Sequence, residues 1–311
     1  MRSPSAGHSK GDAPLSPEVV IRQLEEADVE PVARAAWAPL REATIRYHHE
    51  EMPDLQTDEA AARSRDRIDH IRRHDPEGSW VAELAGEIVG VGLATVREGI
   101  WFLSLLTVSG EVQSKGVGRK LLDATLAYAE GCKGSWIMSS LDPRALHRYG
   151  AAGFSLHPGY EAKAKVNRSL LTAQPAVREG SYDTDAGWID DLIRTLRGAA
   201  YGPDIEATKA RGARLLVIAE GEQRAYSFFG NKNVWNLGAT SAELAQRILI
   251  ASVAEGMGDD GEFSIGALTA TQQWAIDVAL DLKMSLVPGV SLCLQGELGP
   301  MTPYLPNGAY G

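Results

Sequence analysis

The chain has 311 residues, with 41 acidic against 31 basic side chains, a formal net charge of −10, 44% hydrophobic and 23% charged residues. This composition excludes a disordered or collagen-like polymer, and the acidic balance argues against a protein that grips a nucleic-acid backbone or an anionic membrane, leaving small molecules as the favoured partners. At about 150 residues per domain, the length predicts two domains, each able to bury its own core.

Residues Met1 to Pro17 hold almost no large apolar side chain and are expected to form a loose arm. No apolar leader and no run near the ~20 residues that cross a bilayer is evident, so a cytoplasmic protein is expected. Cys132 and Cys293 stand in no metal-ligand or redox spacing, which predicts neither a disulfide nor a metal site.

From Val19 to Leu24 the pattern alternates as in a strand, and from Asp28 to Trp37 the residues Val29, Val32, Ala33 and Ala36 recur at helical spacing. A second helix is predicted over Asp58–His74, with Ala61, Ser64, Ile68 and Ile71 as its inner stripe and arginines on its other faces. Trp80–Leu84, Glu87–Val96 and Ile100–Val108, joined by Ala85-Gly86 and Glu98-Gly99, read as an antiparallel meander. A helix over Gly118–Glu130, a buried strand over Trp136–Leu141, a helix over Pro143–Ala151 and a strand from Phe154 follow.

Ser169 to Pro175 reads as a linker. Beyond it the order recurs: a hairpin of Arg214–Glu220 and Arg224–Phe229, a helix over Ser241–Glu255, a strand over Phe263–Leu268 and a helix over Thr271–Leu282. The fold class is therefore α+β, two similar units each with a mostly antiparallel mixed sheet flanked by helices, over residues 18–168 and 176–311. Residues up to Leu170 carry a net −3 and the remainder −7.

Between the strand ending at Val108 and the next helix lies Gln113-Ser114-Lys115-Gly116-Val117-Gly118-Arg119. Glycines at a helix start let backbone N–H groups converge on a phosphate, and the helix dipole and basic side chains favour the anion. A dinucleotide fingerprint would need a third glycine, and a nucleoside-triphosphate loop would need Gly-Lys-Ser/Thr; neither is present. In its setting after a meander, this loop resembles the Gln/Arg-x-x-Gly-x-Gly/Ala pyrophosphate site of the GNAT superfamily of N-acyltransferases. Asp142-Pro143-Arg144-Ala145-Leu146-His147-Arg148-Tyr149 followed by Gly153-Phe154 resembles a second motif of that family.

The resemblance implies acetyl-CoA as cosubstrate, no metal, and N-acetylation of a primary amine on a small metabolite by direct attack. It assigns CoA contacts to Leu106, Thr107 and Val108 on the strand, to Gln113, Ser114, Lys115, Gly116, Val117, Gly118 and Arg119 in the loop, and to Asp142. It makes Tyr149 the proton donor to the leaving sulfur. The strand over Trp101–Val108 lacks the carboxylate some members use as base, so a water chain or His48, His49 or Glu50 remains open for that role. Arg63 and Arg67, on the arginine-rich helix, together with His48 are the candidate acceptor contacts, favouring an anionic amine in secondary-metabolite biosynthesis or self-resistance. Alternatives are acetylation of a cationic antibiotic, acetylation of a protein N-terminus or lysine, and an acyl-CoA sensor without turnover. The second unit, with Ala279 opposite Tyr149 and Gly238-Ala239-Thr240-Ser241-Ala242-Glu243 in place of the glycine loop, resembles a degenerate copy, as in tandem GNAT proteins of actinobacteria. Monomer and homodimer both remain open.

Overall fold

The computed structural model describes residues 18–48, 52–113, 116–230 and 232–311, without the side chain of residue 48. The arm expected over residues 1–17 lies outside them. In chain order the elements are β1 (Val20–Gln23), α1 (Val29–Ala43), α2 (Asp58–His74), β2 (Ser79–Leu84), β3 (Glu87–Arg97), β4 (Ile100–Val108), α3 (Val117–Ala127), β5 (Gly134–Ser139), α4 (Pro143–Ala151) and β6 (Ser155–Lys165). The second half holds β7 (Arg178–Glu179), α5 (Tyr182–Arg197), α6 (Asp204–Ala210), β8 (Arg214–Glu220), β9 (Gln223–Gly230), β10 (Asn233–Ala239), α7 (Ala242–Gly256), β11 (Glu262–Leu268), α8 (Gln273–Asp281), β12 (Ser285–Gly296) and β13 (Tyr304–Leu305).

One mixed sheet runs through the molecule in the order β1-β2-β3-β4-β5-β12-β6-β11-β10-β9-β8-β7, with β13 beside β10. Read inward from either edge, the order is the same: β1 matches β7, β5 matches β11, and the halves meet where β12 pairs with β6. The last strand of each half has crossed over. β12 runs antiparallel to β5 from Ser291↔Ser139 to Gly296↔Gly134, and β6 runs antiparallel to β11 from Glu262↔Lys165 to Leu268↔Tyr160. The two halves are interleaved through this exchange, so that β5 pairs with a strand of the second half and β11 with a strand of the first.

Helices cover both faces. Val91 and Leu93 of β3 point toward α1 and α2, where Val32, Ala33, Ile68 and Ile71 complete a core cluster. The alternate positions on β3 are Gly90 and Gly92, and a Cβ on Gly92 would stand 2.9 Å from Thr125 of α3, so the helix packs directly on backbone there. Ile100 and Phe102 of β4 share a cluster with Ile189, Ile193 and Leu196 of α5, which carries the core from one half into the other. A buried polar network crosses the same boundary: Arg97 donates to Asp75 at 2.8 Å and to Asp204 at 2.9 and 3.0 Å, and His70 Nε2 lies 2.8 Å from Asp204.

The repeat extends to a clamp at each start. Arg22 on β1 grips Asp28 bidentately at 2.6 and 2.8 Å while the Glu25 N–H donates to Asp28; Arg178 on β7 grips Asp185 at 3.0 and 2.8 Å while the Ser181 N–H donates to Asp185. The hydrogen bonds from Arg178, opposed by burial and aided by Ser181 and Trp188, lower the Asp185 pKa from 3.8 to about 2. A carboxylate lowered in the folded state stabilises the fold above its unfolded pKa, and loses that stabilisation as pH falls through the folded value. For Asp185 the contribution is about 2 kcal/mol at neutral pH. Asp185→Asn should lower the urea midpoint at pH 7, and the gap from the unaltered protein should shrink by about half at pH 3; a gap independent of pH would show that the clamp does not act through charge.

Candidate active site

β4 and β5 run parallel, paired from Ile100↔Gly134 to Leu103↔Ile137 and no further. On its other side β4 stays paired to β3 as far as Gly90↔Val108, and β5 stays paired to β12 as far as Ser291↔Ser139. Each strand is thus held from outside while the two part from each other. The divergence begins at a bulge, since Leu93 pairs Leu105 and Ala94 pairs Leu103, leaving Ser104 as the extra residue. A cleft of about 460 Å³ opens there, walled by Ser104–Val108 on one side and Ile137–Ser140 on the other.

The cleft ends at the start of α3. Gly116 is its N-cap with φ +82°, a left-handed conformation that glycine adopts without strain, and no side chain caps the helix. The N–H groups of Val117 and Gly118 precede the first intrahelical bonds, in which the Arg119 and Lys120 N–H groups donate to the Gly116 carbonyl at 3.1 Å. An anion at the cleft end would meet these donors and the helix dipole. Gly116, Gly118 and Arg119 line the cleft; Val117 does not, its side chain being buried with Val112 and Leu121. Only its backbone is available there, which corrects the expectation of a contact along the whole loop. Ser114 and Lys115 lie outside the described residues. Arg148 of α4, which sequence reasoning did not single out, lines the same end, and its guanidinium would stand 3.2 Å from a Cβ on Gly118.

Leu106, Thr107 and Val108 line the wall, and Gln113 braces the corner by donating to the Val108 carbonyl at 3.0 Å and accepting from Arg144 at 2.6 Å. Asp142 caps α4 by accepting from the Arg144 N–H at 2.8 Å and from its guanidinium at 2.7 Å. Burial works to raise the Asp142 pKa, but these bonds from Arg144 outweigh it and hold the carboxyl below its ordinary range. Asp142 is therefore ionised and engaged as a structural cap. Glu42 of α1 is a second carboxylate on the cleft wall, ion-paired with Arg46 at 3.0 Å; as one acidic residue on an amphipathic helix it carried no signal in the sequence.

Tyr149 sits inside the cleft on α4 with 5% of its surface exposed, packed with Trp101, Leu103, Ile137 and Cys293. Its hydroxyl accepts and donates no hydrogen bond within the described residues. Burial pushes its pKa well above the ordinary phenol value, against the pull of Arg148.

The arginine-rich helix divides its side chains. Arg65 pairs with Glu30 at 3.1 Å, Arg72 and Arg73 pair with Asp69 at 2.7 and 2.9 Å, and Arg63 is exposed and lines no described cavity. This removes Arg63 from the expected acceptor contacts: at one helical turn from Arg67 it faces solvent. Arg67 turns inward, donating to Ser104 Oγ at 2.8 and 3.1 Å and to the Ser104 carbonyl. The side chain of His48, and His49 and Glu50 entirely, lie outside the described residues.

In the second half the corresponding gap is filled. β10 pairs with β11 only at Asn233↔Ser264, and past a bulge at Trp235 its Leu237 and Gly238 pair with Leu305 and Tyr304 of β13. The Ala239 N–H donates to the Pro303 carbonyl at 3.1 Å, and Asn236 donates to the Leu305 carbonyl at 2.8 Å. The tail takes the strand edge that is open at Leu106–Val108. The start of α7 is also closed, because Ser241 Oγ accepts from the Leu244 N–H at 3.3 Å.

The acetyltransferase (GNAT) family model matches residues 37–154, the segment that builds the cleft. That segment, a little over a third of the chain, is similar to the GNAT acetyltransferases. No curated protein matches the chain. Among solved structures it is similar to a protein from Pyrococcus horikoshii assigned as an acetyltransferase, at 18% identity and TM-score 0.72, covering 98% of this chain and 100% of that one. GCN5-related N-acetyltransferases from Sphaerobacter thermophilus (12% identity, TM-score 0.55, 89% and 95% covered) and Kribbella flavida (15%, 0.50, 90% and 71%) are also similar. At these identities the likeness is one of fold.

Two outcomes test the geometry. Gly118→Val should raise the KM for acetyl-CoA at least tenfold, about the weight of one charged hydrogen bond, because its side chain displaces Arg148 and covers the helix start; an unaltered KM in a folded variant would remove this end of the cleft from binding. Calorimetric titration with CoA should give one site per chain, whereas two would mean that β13 does not close the second gap.

Proposed function

We propose that the protein transfers the acetyl group of acetyl-CoA to a primary amine of a small metabolite, in the cleft between β4 and β5 and without a covalent enzyme intermediate. The observation that carries this reading is one cleft that brings together the open edge of Ser104–Val108, Tyr149 and the start of α3, which no side chain caps. The edge suits an extended amide-bearing arm, which can pair with it as an added strand, and the helix start suits its diphosphate. The cleft fits acetyl-CoA on these observations.

In the reaction the neutral amine attacks the thioester carbonyl, the C–N bond forms, the C–S bond breaks with its electron pair on sulfur, and the proton shed by nitrogen passes to water in the cleft and on to the released thiolate. We assign Tyr149, which lines the cleft, the task of meeting that charge. With its pKa raised by burial, the phenol keeps its proton at neutral pH and acts chiefly by donating a hydrogen bond to the sulfur, since full transfer to a thiolate with pKa near 8.5 is uphill. The direct route is supported by the two cysteines: Cys293 is buried with its pKa pushed to about 11, and Cys132 does not line the cleft.

We assign the second half the role of a wall and a strand donor, with its own CoA slot taken by β13. A small acceptor is favoured over a protein terminus or lysine because the cleft adjoins, at the shared lining of Thr44, Met138 and Gly308, a second cavity of about 440 Å³ that suits a small molecule. A library of amines screened by release of free thiol, with product mass, tests the activity. Tyr149→Phe should lower kcat about 100-fold while leaving the CoA dissociation constant within a factor of two. An unchanged kcat would take Tyr149 out of the mechanism; failure of every amine to release thiol would refute the activity.

A further inference from the structure

Arg67 and Arg211 occupy matched places. Arg67 reaches from α2 to the bulge of β4 at Ser104; Arg211, the residue after α6, stands 5.4 Å from the ring of Trp235, the bulged residue of β10. The crossed halves bring both toward the tail. Arg67 lines the first cleft with Gly308, and Arg211 lines the second cavity with Asn307, Gly308 and Ala309; the two cavities share Thr44, Met138 and Gly308 as walls. Tyr310 lies between, with Arg211 5.7 Å from its ring and both guanidiniums acting to lower its pKa against burial.

Neither arginine has an acidic partner among the described residues, although most of the chain's other arginines do. Arg67 bonds only to Ser104 and the Gly308 carbonyl. The Arg211 Nε is buried without an acceptor, and its guanidinium is engaged with the Tyr310 phenol rather than with a carboxylate. Burial and then the like charge of Arg211 lower the Arg67 pKa to about 10, which leaves it a cation at neutral pH. Glu161, on the wall of the second cavity, is ion-paired with Lys163 at 3.1 Å. A guanidinium lowered by burial beside a second, half-buried one of like charge costs free energy unless an anion joins them.

We propose that Arg67 and Arg211 form the anion-binding end of the acceptor site, so that the acceptor is an amine carrying a carboxylate, phosphonate or phosphate, held across both halves with its amine directed into the first cleft. The proposal rests on acetyl transfer only for the identity of the acceptor; the anion site itself is read from the two arginines.

Inorganic phosphate, titrated by calorimetry onto the full chain saturated with CoA so that the start of α3 is occupied, should bind one site. Arg211→Gln should weaken it about 10- to 100-fold, the weight of a lost charged hydrogen bond, and Arg211→Lys should retain part of the affinity. Arg67→Gln should act in the same direction, with Arg211 the cleaner variant because Arg67 also braces the bulge of β4 at Ser104. Repeating the titration with succinate tells a carboxylate from a phosphate preference. No phosphate or succinate site, or equal affinity in the glutamine variant, overturns the proposal. In turnover, 2-aminoethylphosphonate and glutamate should exceed ethanolamine, and Arg211→Gln should raise KM for the anionic amines while leaving kcat and the KM for acetyl-CoA within twofold. Turnover that ignores Arg211 refutes the anion site and leaves acetyl transfer standing; anion binding with no turnover of any amine refutes acetyl transfer and leaves the site standing.

Discussion

The pairing of β12 with β6 holds the rest of the structure in place. Because each half lends its last strand to the other, β5 has an outer neighbour only when β12 is present. That neighbour is what allows β5 to leave β4 after Ile137 without fraying: its backbone groups toward β12 stay bonded while those toward β4 open onto the cleft. The geometry of the cleft in the first half thus depends on a strand more than a hundred residues away in sequence. The Arg97–Asp204 and Arg194–Glu98 pairs, at 2.9 and 2.8 Å, tie the same two halves at another point, so a loss at the strand exchange would be felt at both walls of the cleft.

The tail illustrates how one backbone solution serves two ends. A strand that diverges from its neighbour leaves unpaired N–H and C=O groups, and buried ones need partners. In the second half β13 supplies them, and Gln272 secures it by donating to the Met301 carbonyl at 2.8 Å and the Tyr304 carbonyl at 3.3 Å. In the first half the gap stays open, and the tail instead runs past it: Ala309 and Tyr310 enter the core of α1 and α2, and the Ala309 carbonyl accepts from Ser104 at 2.6 Å. The same dozen residues close one slot and hold the bulge that opens the other.

Local pattern carried much of this into the sequence. The meander is continuous from Ser79 to Val108 with alternating residues and two tight turns, and α2 and α4 have the ends that their caps and apolar spacing imply. What pattern could not carry was partnership. β12 contains Pro288 and Gly289 at a register break, so it does not read as a central strand until its neighbours are known. β7 and β13 have two residues each, too few for periodicity. Over Tyr182–Arg197 the inner stripe of Ile189, Leu192, Ile193 and Leu196 does have helical spacing, and that signal was there to be read. In the cleft, the glycine loop and α4 were legible because backbone conformation demands particular residues. Arg148, Glu42 and Arg211 were not, because a charged residue on a helix looks the same whether it faces solvent or a site. Arg63 and Arg67 show this within one turn: identical in type, opposite in direction.

Net charge is a poor guide to the acceptor for the same reason. The acidic excess is larger after Leu170, yet that half contributes Arg211 to the cavity wall, and its carboxylates are largely committed elsewhere: Asp185 to Arg178, Asp190 to the Tyr201 and Gly202 N–H groups, Asp204 to Arg97 and His70, Asp260 and Glu262 to Lys232. Screening over about 8 Å at physiological salt damps the field of distant surface charges, whereas a guanidinium that lines the cavity acts on an occupant at close range. A duplicated fold whose strands cross brings one such cation from each copy to the same place. Discrimination by charge then needs no new element, only two inward arginines left without carboxylate partners.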